Sequence, residues 1–400
     1  MLLTQNNPTA PPYADFPPEE YQRRTAWAQE LMRQEGLDLL VMTQRENVEY
    51  FSGLLTGHWP IRTFACGAVL IPATGEPVLI VPDFFEGTAS RSSWMARRVH
   101  FTEPHAQPRG FARQVVATIT DLKCATGAIG LEAGENLTSG WNLLDYHHMR
   151  DTLFSADFRS GANVIWGCRT IKSDLEIERM RFITAVTDDA LQYAKSRLAI
   201  GVTEEDIAGW VIERGSQRGA DGPAFMNIRA GLPRYPCADS LPVARPIEPG
   251  EMLLMDVGLR RHTYSTDVAY VAHVGKPLDQ HRSMYDAVVR AHEAVLAATR
   301  PGATSNELFH AGHKVLQDYG YGKTLDMMGH GIGLDVHEPP ILTPYDSKVL
   351  EPGMVFAIEP WLYDVEKYGF FCVEEIVRVT EDGYEILSSL PRDELWTVNE

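Results

Sequence analysis

Four carboxylates and one imidazole in the last third of the chain, Asp256, Asp267, His330, Glu359 and Glu374, have the types and spacing of a divalent-metal site. They lie in three short phrases. Asp256-Val257-Gly258 is followed by Asp267 eleven positions after Asp256; Gly329-His330-Gly331-Ile332-Gly333-Leu334 runs on to His337-Glu338-Pro339; and Ile358-Glu359-Pro360 precedes Glu374. Carboxylate oxygens are hard ligands, and a carboxylate bridges two ions a few ångströms apart. Such ions lower the pKa of a shared water from about 16 towards neutrality, making hydroxide available to attack a carbonyl or amidine carbon. The expectation is a metal-dependent hydrolase with two divalent ions, and this oxygen-rich set accepts Mn, Fe, Zn or Co alike.

An acidic residue in a chain with 54 of them is usually a solvated surface charge. Three of the four carboxylates follow apolar runs instead. Asp256 closes a buried strand after Met252-Leu253-Leu254-Met255, Glu359 ends Met354-Val355-Phe356-Ala357-Ile358, and Glu374 follows Gly369-Phe370-Phe371-Cys372-Val373. A carboxylate there is unfavourable unless a cation meets it, and no Lys or Arg recurs beside these positions. Glycines on both sides of His330 let backbone come close and favour a ligand over a turn-capping histidine. His337 is open between substrate contact and an ordinary hydrogen-bonded core histidine.

These side chains need rigid elements to hold them. The ligand-bearing segments are strand-like, and helices flank them from Lys172 to about Leu198, Thr203 to about Arg218, Ser283 to Thr299 and Thr304 to Tyr319. Thr203 with Asp206 and Thr304 with Glu307 are N-terminal capping patterns. Helices packed outside a curved sheet would leave the carboxylates projecting inside it, and ligands on strands are held more rigidly than ligands on loops. Upstream, residues 1–17 read as an extended arm. A helix is expected over Glu19–Gly36 with Trp27, Leu31 and Met32 on one face, then a strand at Leu37–Met42. A short helix at Asn47–Gly53 and strands at Ala68–Ile71 and Pro77–Val81 follow. This alternation argues an α/β domain. The expected division is an arm at 1–17, an N-terminal domain at 18–165 and a catalytic domain at 166–400.

Four hundred residues with 44% hydrophobic content suffice for two cores. No run reaches the roughly 18 apolar residues of a membrane span, and the N-terminus lacks a basic region followed by an apolar core. Five scattered cysteines fit reduced, buried thiols and a cytoplasmic location. The net charge, 36 − 54 = −18, argues against nucleic acid and anionic membrane surfaces as partners.

The three phrases, in this order and spacing, resemble the pita-bread metallohydrolases of peptidase family M24: methionine aminopeptidase, prolidase, Xaa-Pro aminopeptidase and creatinase. Arg169-Thr170-Ile171-Lys172-Ser173 with Glu176-Ile177-Glu178-Arg179-Met180-Arg181 resembles the helix that opens the catalytic domain in the prolidase and creatinase branch, and Glu351-Pro352-Gly353-Met354-Val355 before Glu359-Pro360 is similar too. The resemblance implies a creatinase-like α/β N-terminal domain, an α+β pita-bread catalytic domain and a homodimer. It implies that Asp256, Asp267, His330, Glu359 and Glu374 are the metal ligands, with Asp267 and Glu374 bridging. Glu359 would also shuttle a proton, and His337 would contact substrate.

Two departures bear on the substrate. Proline-directed peptidases of the family carry a histidine about seventeen positions before the first aspartate ligand, where this chain has Asp239. They also carry Thr and Arg after the second aspartate, where this chain has Ala269 and Tyr270. Arg62, in His58-Trp59-Pro60-Ile61-Arg62, resembles a creatinase arginine that meets the substrate carboxylate across a dimer. The leading expectation is a Xaa-Pro dipeptidase or aminopeptidase acting on small peptides. The alternative is a small-molecule enzyme on the same fold, a creatinase- or ectoine-hydrolase-like C–N hydrolase or a dimethylsulfoniopropionate lyase. Its zwitterionic substrate would lie between Asp239 and Arg62. A non-catalytic binding module is the third reading.

Overall fold

The computed structural model describes residues 11–61, 65–102, 109–238, 240–321 and 326–398. Arg62 and Asp239, two of the candidate substrate contacts, lie outside the described residues. The chain forms two compact units, Met1–Arg169 and Thr170–Glu400. The boundary expected at 165 falls inside a helix, Ala162–Arg169, which belongs whole to the first unit.

The first unit opens with α1 (Pro18–Glu35), started by proline and two glutamates in its first turn and stopped by Gly36 in the left-handed region at φ 66°. Its buried stripe is Tyr21, Arg24, Thr25, Ala28 and Met32. Trp27, expected on that face, is exposed, and its indole N–H donates to the Gly167 carbonyl at 3.0 Å. There follow β1 (Leu39–Met42), α2 (Arg45–Ser52), β2 (Ala68–Pro72), β3 (Val78–Pro82), α3 (Glu86–Ser92), β4 (Arg98–Phe101), α4 (Gly110–Asp121), β5 (Ala128–Leu131), α5 (Leu143–Thr152), β6 (Asp157–Ser160) and α6 (Ala162–Arg169). The strands make one mixed sheet in the order β4-β3-β2-β1-β5-β6, with β1, β5 and β6 parallel. Leu39, Val41, Leu70, Ile80 and Ile129 from the sheet pack with Phe111, Val115 and Ile119 of α4. The sheet's central strands are apolar because both faces are covered.

A buried carboxylate sits just past β5. Glu132 accepts from Thr43 N (2.8 Å), Thr43 Oγ1 (2.9 Å), Gln44 N (3.0 Å) and Asn47 Nδ2 (2.8 Å), and so anchors the start of α2. Burial pushes its carboxyl up from 4.5 to about 7, against those four donors. Between these values the folded chain binds the extra proton and the unfolded chain does not, so Glu132 makes stability fall as pH rises from 4.5 to about 7. The full swing is on the order of 3 kcal/mol. We expect Glu132→Gln to flatten the pH dependence of this unit's unfolding midpoint between pH 5 and 7, measured by denaturant melts followed by circular dichroism; an unchanged slope would contradict this account.

In the second unit, α7 (Asp174–Lys195) is capped by reciprocal Ser173–Glu176 hydrogen bonds and α8 (Glu204–Arg218) by Thr203–Asp206. Then come β7 (Gly222–Ala230), β8 (Met252–Arg261), β9 (Tyr264–Ser265) and β10 (Val268–Val274), followed by α9 (Asp279–Ala298) and α10 (Ser305–Asp318). The last segments are β11 (Gly329–Gly331), β12 (Glu338–Ile341), β13 (Val355–Ile358), β14 (Trp361–Asp364), β15 (Gly369–Cys372), β16 (Glu375–Val379), β17 (Tyr384–Ile386) and β18 (Trp396–Val398). One sheet runs β18-β10-β8-β7 with β9 on β8; a second runs β12-β11-β13-β16-β17; β14 and β15 pair as a ribbon. Helix α9 starts a turn before the expected Ser283 because His281 Nδ1 accepts the Leu278 N–H at 3.2 Å, a cap that composition does not advertise. The apolar sides of the sheets and of α9 and α10 share a core that includes Leu254, Val271, Val288, Leu308, Phe356 and Val377. Among the described residues no helix is long and apolar enough to cross a membrane.

Candidate metal centre

Asp256 does not close its strand, as expected from the apolar run before it. It sits inside β8, opposite Asn227 of β7 and Ala269 of β10. The run ends there only as composition; the ladder continues because Val257, Gly258 and Leu259 remain buried and paired. Asp267 immediately precedes β10, two residues from Ala269, so strand alternation puts it on the side of Asp256. From the second sheet, His330 is the middle residue of β11, Glu359 follows β13 and Glu374 precedes β16. The Glu374 N–H donates to Ala269 O at 3.0 Å, which places the second sheet's carboxylate against the first sheet's aspartates.

Ligand-type atoms of these residues lie within 4.8 Å of one another in three overlapping groups: Asp267, His330 and His337; His330, Glu359 and Glu374; Asp256, Asp267 and Glu374. All five residues expected to ligate are therefore brought together and buried, while the His337 side chain is 60% exposed at the edge. His337 stacks on His330 with ring centroids 3.8 Å apart, and its Nε2 is 4.0 Å from Asp267 Oδ2. Gly329, at φ 144°, is required by backbone packing: a Cβ there would meet Ala357 O at 2.2 Å.

The electrostatics demand a cation. Burial, then the nearby charges of Asp267, Glu359 and Asp256, push Glu374 well above the ordinary carboxylate range. Burial also raises Asp267, although His330 opposes the shift. Burial alone would depress His330, but Asp267 at 3.4 Å and Glu359 at 3.3 Å outweigh it and hold the imidazole up to about 10. The Nδ1 of His330 meets the Gly331 carbonyl at 3.0 Å, which turns Nε2 to the carboxylates. Among the described residues, that Nε2 and both oxygens of Glu374 are buried with no hydrogen-bond partner. Oxygen-rich donors, an orphaned imidazole nitrogen and two orphaned carboxylate oxygens are the donor set of a divalent cation site.

Three further contacts were not anticipated from the sequence. Asn227 Nδ2 donates to Asp256 Oδ2 at 2.8 Å, and Trp361 Nε1 donates to Glu359 Oε2 at 2.6 Å. Trp361 lies two residues after Glu359, a spacing that strand alternation makes legible; Asn227 is 29 positions from Asp256 and needs the strand register. Lys172 Nζ lies 3.0 Å from Glu338 Oε2, both fully buried, while Glu338 Oε1 accepts from Leu334 N at 3.0 Å and Asp335 N at 3.2 Å. This pair ties down the loop that carries His337. Gly333 leaves room for it, since a Cβ there would be 2.8 Å from Glu338 Oε2 and 2.9 Å from Lys172 Cε. Ala269 and Tyr270 are buried in β10; the Tyr270 ring stacks on Trp396 at 5.0 Å and its hydroxyl donates to Leu390 O at 3.0 Å, so it serves the strand's support.

Comparison with known proteins follows the same division of the chain. Residues 24–171 match the Creatinase/Prolidase N-terminal domain and residues 178–381 match Metallopeptidase family M24. A Xaa-Pro dipeptidase from Pyrococcus furiosus is 28% identical over 363 residues, covering 90% of this chain and 96% of the relative. A Xaa-Pro dipeptidase from Pyrococcus horikoshii is 31% identical over 238 residues, 59% of this chain and 68% of the relative. Among solved structures, the dipeptidase PepE from Mycobacterium ulcerans superimposes with a TM-score of 0.83 at 25% identity, over 96% of this chain and 100% of that one. The Pyrococcus furiosus prolidase gives 0.77 at 26% identity, over 91% and 99%. With the ligand-type residues gathered at the junction of two sheets and both units matched, the chain belongs to metallopeptidase family M24 and is a metal-dependent hydrolase with a creatinase-type N-terminal domain.

Proposed function

We propose that Asp256, Asp267, His330, Glu359 and Glu374 hold two divalent cations and that the chain hydrolyses Xaa-Pro dipeptides as a cytoplasmic homodimer. The observation that carries this reading is the buried cluster of mutually repelling carboxylates, with His330 Nε2 and both Glu374 oxygens lacking hydrogen-bond partners among the described residues. Asp267, His330 and Glu374 each belong to two of the three groups, and of these the two carboxylates, with two oxygens each, would be the bridging ligands. Divalent ions such as Mn, Fe, Zn or Co bound there supply Lewis acidity towards a carbonyl and acidify water. The protein's part is to orient and to hold protons. Glu359, steadied by the Trp361 indole on Oε2, takes the proton of the attacking water. His337, exposed at the edge of the cluster, contacts the substrate and its developing negative charge. The names of the curated relatives favour peptide over small-molecule substrates, and the complete ligand set weighs against a non-catalytic module.

We expect metal-restored protein to release proline from a panel of Xaa-Pro dipeptides, to stop on chelation and to recover with Mn. Full metal loading without peptide turnover would instead support the small-molecule reading. Replacement of His337 by Ala should lower kcat/KM at least about tenfold, with metal content, measured by mass spectrometry, unchanged. Glu374→Gln separates stability from function: by relieving repulsion it should raise the thermal midpoint of the metal-free chain while cutting metal uptake. A metal-free variant that melts lower than the parent would count against the electrostatic argument.

A further inference from the structure

Resting on the metal-site reading above, we infer that Asn227 and Trp361 are positioning residues, each holding one oxygen of a ligand carboxylate so that the other is presented to an ion. The orientation of each donor is forced. A carboxylate only accepts, so the Asn227 amide presents Nδ2 to Asp256 Oδ2, at 2.8 Å. The indole of Trp361 carries a single donor and no acceptor, and it meets Glu359 Oε2 at 2.6 Å. The opposite oxygen, Oε1, lies 3.3 Å from His330 Nε2 and so faces the cluster.

Both donors are neutral and buried, Asn227 at 4% and Trp361 at 9% exposure. Neutrality is what the position requires. An ammonium or guanidinium at either place would orient the carboxylate equally well but would cancel the charge that draws the metal in. An amide and an indole fix the geometry and leave the charge. The two also act on different parts of the cluster. Asn227 holds Asp256, which groups with Asp267 and Glu374, whereas Trp361 holds Glu359, which groups with His330 and Glu374. Each donor therefore steadies a different group of ligand atoms, and would act on a different ion if two were bound. Both are held by their own surroundings: Asn227 by the β7–β8 register, and Trp361 by pairing with Cys372 and by its edge-on contact with Phe370 at 6.4 Å.

The test is a calorimetric titration of chelator-stripped full-length protein with Mn, with tryptophan emission followed in parallel. Trp361→Phe keeps an aromatic ring and removes the donor; Asn227→Leu keeps the volume and removes the amide. Each variant is expected to weaken one of two binding steps about 10- to 100-fold and to leave the other at the parent value. Trp361→Phe should also lose the emission change that accompanies the weakened step, while the metal-free melting profile stays that of the parent. Should Asn227→Leu fail to fold, Asn227→Ser, a smaller donor, should bind with intermediate affinity. Parent-like affinities in both steps for both variants would overturn this inference alone. Absence of Mn uptake by the parent chain would overturn the metal-site reading itself.

Discussion

Four carboxylates gathered out of water in overlapping groups around one imidazole are the constraint to which the rest of the second unit answers. Their mutual repulsion and lost hydration are large compared with the marginal stability of a domain, so the surrounding structure must over-determine their placement. It does so by drawing them from two sheets. Asp256 and Asp267 come from the β8–β10 pair, and His330, Glu359 and Glu374 come from β11, β13 and β16. Each sheet supplies two of the four acids. The cost arises where the two sheets meet, and cation binding offsets it there.

Elsewhere in the same unit two buried carboxylates meet cations from the protein itself. Glu375, next to Glu374, is met by Arg392 at 2.7 Å, and Glu338 is met by Lys172 at 3.0 Å. Adjacent Glu374 and Glu375 thus have opposite fates, because neighbouring residues of an extended chain point to opposite faces. One finds an arginine, and the other, among the described residues, finds acids and a histidine. The contrast separates a structural carboxylate from a ligand without reference to any motif.

Much of this was legible in the sequence. Three of the four carboxylates stand out because acids after apolar runs are unfavourable without a cation, and capping patterns at Thr203 and Thr304 place two helices correctly. What escaped had physical causes. Helical spacing puts Trp27 on one face with Leu31 and Met32, but its indole donates to the Gly167 carbonyl and the residue stays exposed. Asp256 was read as a strand terminus because hydropathy drops there, whereas hydrogen bonding continued through Val257, Gly258 and Leu259. Asn227 was invisible, since nothing local marks it and its meaning arises only from cross-strand register. Asp239 and Arg62 stand out only through resemblance to relatives, and both lie outside the described residues.

The buried pair of Lys172 and Glu338 has a consequence for motion. The two residues are 166 positions apart, and both oxygens of Glu338 are occupied, one by the ammonium and the other by the Leu334 and Asp335 amides. Opening the loop from Gly333 to Glu338 would bare a charge in a poorly solvating interior, at roughly 3–5 kcal/mol. Such excursions occupy well under one part in a hundred of the time. The loop is therefore a rigid frame rather than a lid. On this side the frame fixes where His337 stands, stacked on His330 and 60% exposed at the rim of the cluster, so the approach to the acids is set by a side chain that is not carried on a moving segment.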